Sequence, residues 1–273
     1  VAALEFARRE ITRPKGLPIG TRLLCESHRI LMRGIRGGEK NPGEIRRTQN
    51  WIGGSRPGNA RFVPPPANEV SPALDSLEKW IHSKDSLPPL IKSGLAHVQF
   101  ETIHPFLDGN GRIGRLLISV LLEHWGVLNE PILYLSLALK RRQQEYYERL
   151  AAVRTKGDWE GWTSFFLECV SDAAEDGVRV AHALRSLLEQ DRERVAAHER
   201  STVAAIRLLD ILPSCPVVSV PKASHELGLT APPTRKAIEL LESIGILAET
   251  SGKQRDRMYA YRAYLDALAG GEA

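Results

Sequence analysis

The chain has 273 residues, enough for about two domains of ordinary size, each able to bury its own core. Its 42% hydrophobic and 26% charged content exclude a disordered or fibrous chain, and a net charge of +4 is too mild to imply nucleic acid by itself. Cys25, Cys169 and Cys215 are scattered, odd in number and without metal-ligand spacing, no signal-peptide pattern is present, and even the Leu116–Leu122 stretch is interrupted by Glu123 and His124. The expectation is a cytoplasmic protein with free thiols and no membrane partner.

In chain order, the first predicted element is a helix from Thr21 to Met32, striped by Leu24, Ile30 and Leu31. GEIRRTQNWIGG (Gly43–Gly54) then leads to RFVPPP (Arg61–Pro66). Here Trp51-Ile52 and Arg61-Phe62-Val63 read as two extended segments joined by Gly53, Gly54, Pro57 and Gly58, which makes a hairpin. Pro64-Pro65-Pro66 ends its pairing, because proline has no N–H to donate. Helical stripes resume from Pro72 to Ile81, through Leu74 and Leu77, and from Ile91 to Thr102, through Leu95 and Val98. His28 and His97 read as ordinary helix or core-edge residues, since neither has a metal partner at ligand spacing.

The most informative run is His104–Arg115, HPFLDGNGRIGR. Ile113, Leu116, Leu117, Val120, Leu121 and His124 recur at helical spacing and Gly126 is a stop signal, so Asn110 falls near a helix start. First-turn amides there have no intrahelical partner and carry the positive end of the helix dipole, while Gly109 and Gly111 let an anion approach closely. Arg112 and Arg115, three apart, offer guanidinium forks for terminal phosphate oxygens. Asp108 is a hard oxygen ligand suited to Mg²⁺, which takes one or two carboxylates plus phosphates and water. His104 is a proton acceptor suited to neutral pH.

At every fixed position this run resembles the motif of the Fic family, HxFx(D/E)GNGRxxR. The stretches Gly43–Gly54 and Arg61–Pro66 resemble that family's target-docking flap, and EYYERL (Glu145–Leu150) its nucleotide-pocket helix. The resemblance implies a protein adenylyltransferase, which moves AMP from ATP to a Ser, Thr or Tyr hydroxyl of a protein, itself included, and releases pyrophosphate. It assigns His104 as general base and Asp108 as the Mg²⁺ ligand. It places the Gly109-Asn110-Gly111 amides and the Asn110 side chain in the anion hole, and Arg112 and Arg115 on the β- and γ-phosphates. Ile113 and Gly114 belong to the same nucleotide-binding run, and Tyr146 and Tyr147 stand beside the adenine, one as core packing and one as pocket wall. On the flap, Ile52, Gly53, Gly54, Arg61, Phe62 and Val63 would dock a target segment by strand addition. A phosphate-transferring subfamily carries Lys where this chain has Gly111, so Gly111 favours AMP transfer. Many relatives carry an inhibitory helix, (S/T)xxxE(G/N), whose glutamate pairs with the second arginine, here Arg115; this sequence contains no match, and the expectation is a less inhibited form.

Further on, Lys140-Arg141-Arg142 reads as a solvated helix face. Trp159, Trp162, Phe165, Phe166 and Val170 form an apolar helix face that continues through Val178, Ala181, Leu184 and Leu188 into the charged run DRERVAAHER, read as exposed. After Ser201, VPKASHELGLT resembles the start of a helix-turn-helix, with Gly228 at the bend and Thr230 as cap; a second helix, the SGKQRDR turn and a strand-like Met258-Tyr259-Ala260-Tyr261 complete a winged-helix pattern. DNA phosphates would be held by Arg235, Lys236, Lys253, Arg255 and Arg257, but Glu239, Glu242 and Asp256 interrupt that face, so a homodimer contact or target docking suits residues 201–273 better. The fold expected is mainly α: a Fic-type helical bundle with a β-hairpin flap, followed by a small winged-helix α+β domain. Its parts are an N-terminal helical region with the flap (1–70), a catalytic core (71–170), a connecting helix (171–200) and the small domain (201–273).

Overall fold

The computed structural model describes residues 2–34, 40–130 and 133–269. The chain divides into two compact units, Val1–Ala174 and Glu175–Ala273.

The first unit is built around two helices, α4 (Pro89–Ile103) and α5 (Asn110–His124), preceded by α1 (Ala2–Thr12), α2 (Thr21–Leu31) and α3 (Ala67–Ile81). It continues with α6 (Leu135–Arg141), α7 (Gln143–Lys156) and the start of α8 (Trp159–Ala197). One side of the α4–α5 pair packs on α1, α2 and α3 through Ala7, Leu23, Val70, Leu74, Phe100, Ile113 and Leu117. The other packs on α6, α7 and α8 through Val98, Ile118, Leu139, Leu150, Trp162 and Phe166. Because α4 is surrounded, its polar residues Lys92, Ser93, His97 and Glu101 are buried as well as its apolar ones. Gly94 permits one close approach: a Cβ there would meet the Phe166 ring at 2.7 Å, and Trp162 Nε1 donates to its carbonyl at 3.0 Å. His97 is therefore a core residue, fully buried and flanked by Trp162, where the sequence suggested a core edge.

Two boundaries differ from the sequence pattern. The helix expected from Pro72 begins at Ala67, just after Pro66, so Pro72 stands inside it and offers no N–H to the Asn68 carbonyl one turn earlier. Between α2 and α3, the two extended segments expected of the flap reduce to a single antiparallel bridge, Ile52 with Phe62, and a short 3₁₀ turn, Pro57–Asn59.

In the second unit the far part of α8 is followed by α9 (Val203–Ile211), β1 (Val217–Val218), α10 (Val220–Leu227), α11 (Ala231–Ser243), β2 (Ala248–Glu249), β3 (Tyr259–Ala260) and α12 (Arg262–Leu268). The sheet order is β1-β3-β2, all antiparallel, with Ala260 opposite both Val217 and Ala248. Thr202 and Ser219 cap α9 and α10 through side-chain oxygens. Thr230 occupies the cap position of α11 but makes no capping bond, because the amides it would reach belong to Pro232 and Pro233, which have no N–H. The run 191–200, read as exposed, contains two buried residues: Val195 sits in the core with Leu208 and Leu241, and Asp191 accepts from the Tyr261 hydroxyl and pairs with Arg194. Among the described residues no helix is long and apolar enough to cross a membrane.

Candidate active site

The site grows from the junction between α4 and α5. His104 is the C-cap of α4 and adopts the left-handed backbone conformation, φ 49° and ψ 61°, a region that costs a non-glycine residue roughly 1–2 kcal/mol. That strain is held by Arg46, whose guanidinium donates to four backbone carbonyls: His104 at 2.9 Å, Ile103 and Thr48 at 3.3 Å, and Pro65. Its own amide donates to Pro105 O at 2.9 Å. Arg46 thus joins both ends of the flap to the turn that aims His104.

The loop that follows is fixed by side chains rather than by a sheet or helix ladder. Asn110 is buried; its Oδ1 accepts from Phe106 N at 2.8 Å and its Nδ2 donates to Phe106 O at 2.7 Å. The Asn110 side chain assigned to the anion hole is instead a clamp on the loop, and only its backbone remains for an anion. His28 stacks on Phe106 with centroids 3.9 Å apart and planes 4° from parallel. Gly43 N donates to His28 Nδ1 at 2.9 Å, so Nε2 carries the proton and donates to Asp108 O at 2.9 Å. Gly109, at φ 80°, closes the turn beneath this ring, and a Cβ there would meet Met32 Sδ at 3.0 Å and His28 Nε2 at 3.1 Å.

No side chain caps the first turn of α5; Gly109 N donates to Asp108 Oδ1 at 2.6 Å, and Arg112 N and Ile113 N donate to Gly109 O at 3.1 Å, so the Asn110 and Gly111 amides and the positive end of the dipole are left for a negative charge. The Arg112 side chain lies 3.9 Å from Asp108 Oδ1. Arg115 folds back over the same turn: its Nη1 is 3.2 Å from where a Cβ on Gly111 would stand, so a side chain at position 111 would press on this arginine. Asp108 is partly exposed and has Lys40 3.9 Å from its Oδ2. Three residues named for the nucleotide have no surface to offer it. Ile113 is in the core, Gly114 is pressed against Glu101 and His97, and Tyr146 is buried with its hydroxyl 2.9 Å from His97 Nε2. Tyr147, next to it, is 40% exposed.

Burial pushes the His104 imidazole down to about 4, against a smaller opposing pull from the Glu101 carbonyl, and Arg154 and Arg46 add to the fall. The ring is therefore neutral near pH 7 and free to accept a proton. Burial also drives Glu101 up to about 7, less far than it would go without Arg115 and Arg154.

The flap lies on the far side of His104. Ile52 N donates to Phe62 O and Arg61 N to Ile52 O, both at 2.9 Å. Gly53 and Gly54 follow with φ 71° and 70°, conformations that require glycine. Asn59 Oδ1 closes the tip by accepting from Ser55 N and Arg56 N. Trp51 and Val63 remain exposed. Phe62 is pinned from α7: the Arg154 guanidinium stacks 3.8 Å from its ring centroid while donating to Thr102 Oγ1 at 3.2 Å and to Glu101 O at 3.0 Å.

Arg46, Glu101 and Arg154 were not singled out from sequence, and His28, read as an ordinary helix or core-edge residue, is buried and holds the loop. His97, Glu101 and His104 do fall at i, i+4, i+7 and share one helix face, which is a readable signal. Arg46 carries no such signal, since its neighbour Arg47 is exposed. Arg142, read as solvated, instead pairs with Glu145 and Glu168 at 2.8 Å over the Phe165 ring.

Residues 18–122 match the model of the Fic/DOC family. They form a Fic domain. The Fic domain is similar to proteins named protein adenylyltransferase Fic: 33% identical over 129 residues to that of Drosophila grimshawi, covering 46% of this chain and 24% of the relative. With the protein of the same name from Drosophila erecta it shares 30% over 151 residues, covering 54% and 27%. The chain thus spans about a quarter of the length of these curated relatives. Among solved structures, a Fic family protein from Desulfovibrio desulfuricans superposes with a TM-score of 0.56 at 24% identity, over 95% of this chain and 72% of that one. A Fic domain-containing signalling protein from Bacteroides thetaiotaomicron gives 0.50 at 21%, over 65% and 68%. Likeness at these identities speaks for the fold.

Proposed function

We propose that the Fic domain is a protein adenylyltransferase that moves AMP from ATP to a Ser, Thr or Tyr hydroxyl of a protein, including its own chain. The observation that carries this reading is the convergence of His104, Asp108, the uncapped first turn of α5, Arg112 and Arg115 on one loop-to-helix junction. The similarity to proteins named adenylyltransferases supports it.

In this mechanism His104, neutral near pH 7, accepts the proton of the target hydroxyl as its oxygen attacks the α-phosphorus. The new P–O bond replaces the bond to the bridging oxygen, and pyrophosphate leaves with the electron pair. The backbone of the first turn and the guanidinium forks of Arg112 and Arg115 hold the negative charge of the phosphates, the main task in this class of transfer. Gly111 leaves that space to Arg115 and the anion, which supports AMP transfer over phosphate transfer. Asp108 suits Mg²⁺: its carboxylate is partly exposed, with Gly109 N donating to Oδ1 at 2.6 Å and Lys40 3.9 Å from Oδ2. Among the described residues no three His, Cys, Asp or Glu side chains are placed to hold a metal ion together, so the ion would rest on this carboxylate, water and the nucleotide. When bound, Mg²⁺ would neutralise phosphate charge. The exposed backbone around Ile52, Gly53, Gly54, Arg61, Phe62 and Val63 would dock the target segment by strand addition, and Tyr147 would wall the base.

The order helix, strand, two helices and a hairpin in the second unit supports a winged-helix reading for residues 201–273. Its cleft between α10, α11 and the β2–β3 turn mixes Arg235, Arg255 and Arg257 with Glu239 and Asp256. That balance favours a protein surface, a target or a second copy, over duplex DNA.

Intact-mass spectrometry of the protein, alone and with a cell lysate, after incubation with ATP and Mg²⁺ tests the reading. The expected result is a gain of one AMP on a hydroxyl residue, absent with His104→Ala. A folded sample that gains no adduct from any nucleoside triphosphate would overturn it, and salt-dependent binding of duplex DNA would then favour a DNA-binding regulator with a nucleotide-sensing Fic domain.

A further inference from the structure

One buried acid at the site has no part in the steps above. Glu101 lies on α4 one turn before His104 and is 5% exposed, and its Oε1 has no hydrogen-bond partner. Its Oε2 stands 3.7 Å from His104 Nδ1, itself buried and without a hydrogen-bond partner. The space the carboxylate fills is prepared by α5: a Cβ on Gly114 would stand 2.6 Å from Oε1. Glu101 is faced by Arg115 from α5, Arg154 and Tyr146 from α7, and His97 and His104 from its own chain turn. Its backbone carbonyl, the other acceptor on that side, also acts on the imidazole and receives Arg154 Nη2 at 3.0 Å, which leaves it one lone pair against the full charge of the carboxylate. A buried, unpartnered imidazole nitrogen that faces a buried carboxylate across slightly more than a hydrogen-bond length has a partner within reach, and catalytic hydrogen bonds are often long before substrate binds.

We propose that Glu101 is the positioning residue of His104: its carboxylate takes the Nδ1–H, leaves Nε2 as the proton acceptor, and stabilises the imidazolium formed when the hydroxyl proton arrives. The assignment rests on the adenylyltransferase reading for its kinetic consequence but not for its geometry. A carboxylate that fixes the tautomer of a general-base histidine is a recurrent device in acyl transfer, and the same electrostatic reasoning holds here. It also gives the reaction a pH dependence. Glu101 titrates at about 7 and His104 at about 4. Acidification through neutrality therefore neutralises the acid while the imidazole remains uncharged. The turnover rate should rise with pH through that range, and the limb belongs to Glu101.

The test uses the full chain as wild type, Glu101→Gln and Glu101→Asp, with two readouts: steady-state AMP transfer across neutral pH, and ¹⁵N NMR of the His104 ring without nucleotide. Glu101→Gln should lower kcat by about 10- to 100-fold, keep the KM for ATP within about twofold, and lose the rise through neutrality. Glu101→Asp, which keeps the charge, should recover part of kcat and the pH limb. In the wild type the His104 nitrogens should show an inflection near neutrality from the neighbouring carboxyl, absent in Glu101→Gln. Wild-type kcat and pH profile in a folded Glu101→Gln variant, or no such inflection in the wild type, would overturn the proposal. If the wild type transfers no AMP, the functional reading fails and the NMR titration alone decides the positioning; if the Gln variant does not fold, the wild-type inflection and the Asp variant decide it.

Discussion

The loop from His104 to Asn110 and the flap from Gly43 to Pro66 flank the same imidazole but are built on opposite plans. The loop has little backbone ladder of its own, yet its course is set from several directions: Asn110 clamps Phe106 from within, His28 holds Asp108 O from α2, and Arg46 holds His104 O from the flap base. The flap beyond that base has one bridge, a self-closed tip and a single aromatic anchor, Phe62 under Arg154. Under the proposed function the loop carries the proton and phosphoryl chemistry, which tolerates little misplacement and would call for groups held this firmly. Docking a variable target strand requires a segment whose exposed backbone is left available, and anchoring at one side chain suffices.

The contrast is broken most severely at its centre. His104→Ala should reduce AMP transfer by roughly 10²–10⁴-fold with the fold retained, measured by adduct formation alongside circular dichroism. Next, Asn110→Ala strands the buried amide of Phe106, whose carbonyl keeps Asn50 Nδ2 at 3.0 Å, and losing that partner should lower stability by roughly 1–3 kcal/mol in a denaturant titration, together with turnover. An Asn110→Ala chain as stable as wild type would mean that the loop is held from outside.

Acid should act on the same rigid region. His97 and His104 are both depressed to about 4 from an ordinary 6.5, so between those values the unfolded chain binds their protons and the folded chain does not. Stability from these two groups is full above about pH 6.5 and is lost as pH falls toward about 4. Glu101, raised from 4.5 to about 7, works the other way and contributes most below 4.5. Two histidines against one carboxyl leave a net fall in thermal midpoint on acidification, shallower in His104→Ala. The smallest effect is expected on the flap. Phe62→Leu removes the cation–π anchor, worth about 0.5–2 kcal/mol, and should raise the KM for the protein target several-fold while the KM for ATP stays unchanged. A change in ATP KM instead would join flap and loop into one unit.

The anion site was legible because its function lies in short-range order: a glycine turn, a helix start and arginines three apart bring one another together without help from the rest of the chain. Ile113 and Gly114 adjoin the site in sequence, but a helix turns such neighbours inward; of the tyrosine pair, Tyr146 is the one packed in the core and Tyr147 the one exposed. The Asn110 side chain failed for a related reason, since an amide near an anion is equally suited to bind its own loop. In the second unit Gly228 at the bend was readable. The two-residue strand Val217–Val218 was not, because its stability comes from pairing with Tyr259–Ala260, more than forty residues away.

By itself the sequence determined the helical character of the chain, the residue types concentrated between His104 and Arg115, and the glycine turns at Gly109 and Gly228. The tertiary structure decided which charged residues are buried, and so which ones act. Arg46 and Arg47, and Tyr146 and Tyr147, are near-identical neighbours in sequence, yet one of each pair is built into the protein and the other faces water. Burial sets the cost of a charge and the need for a partner, and it is settled by what packs from distant parts of the chain.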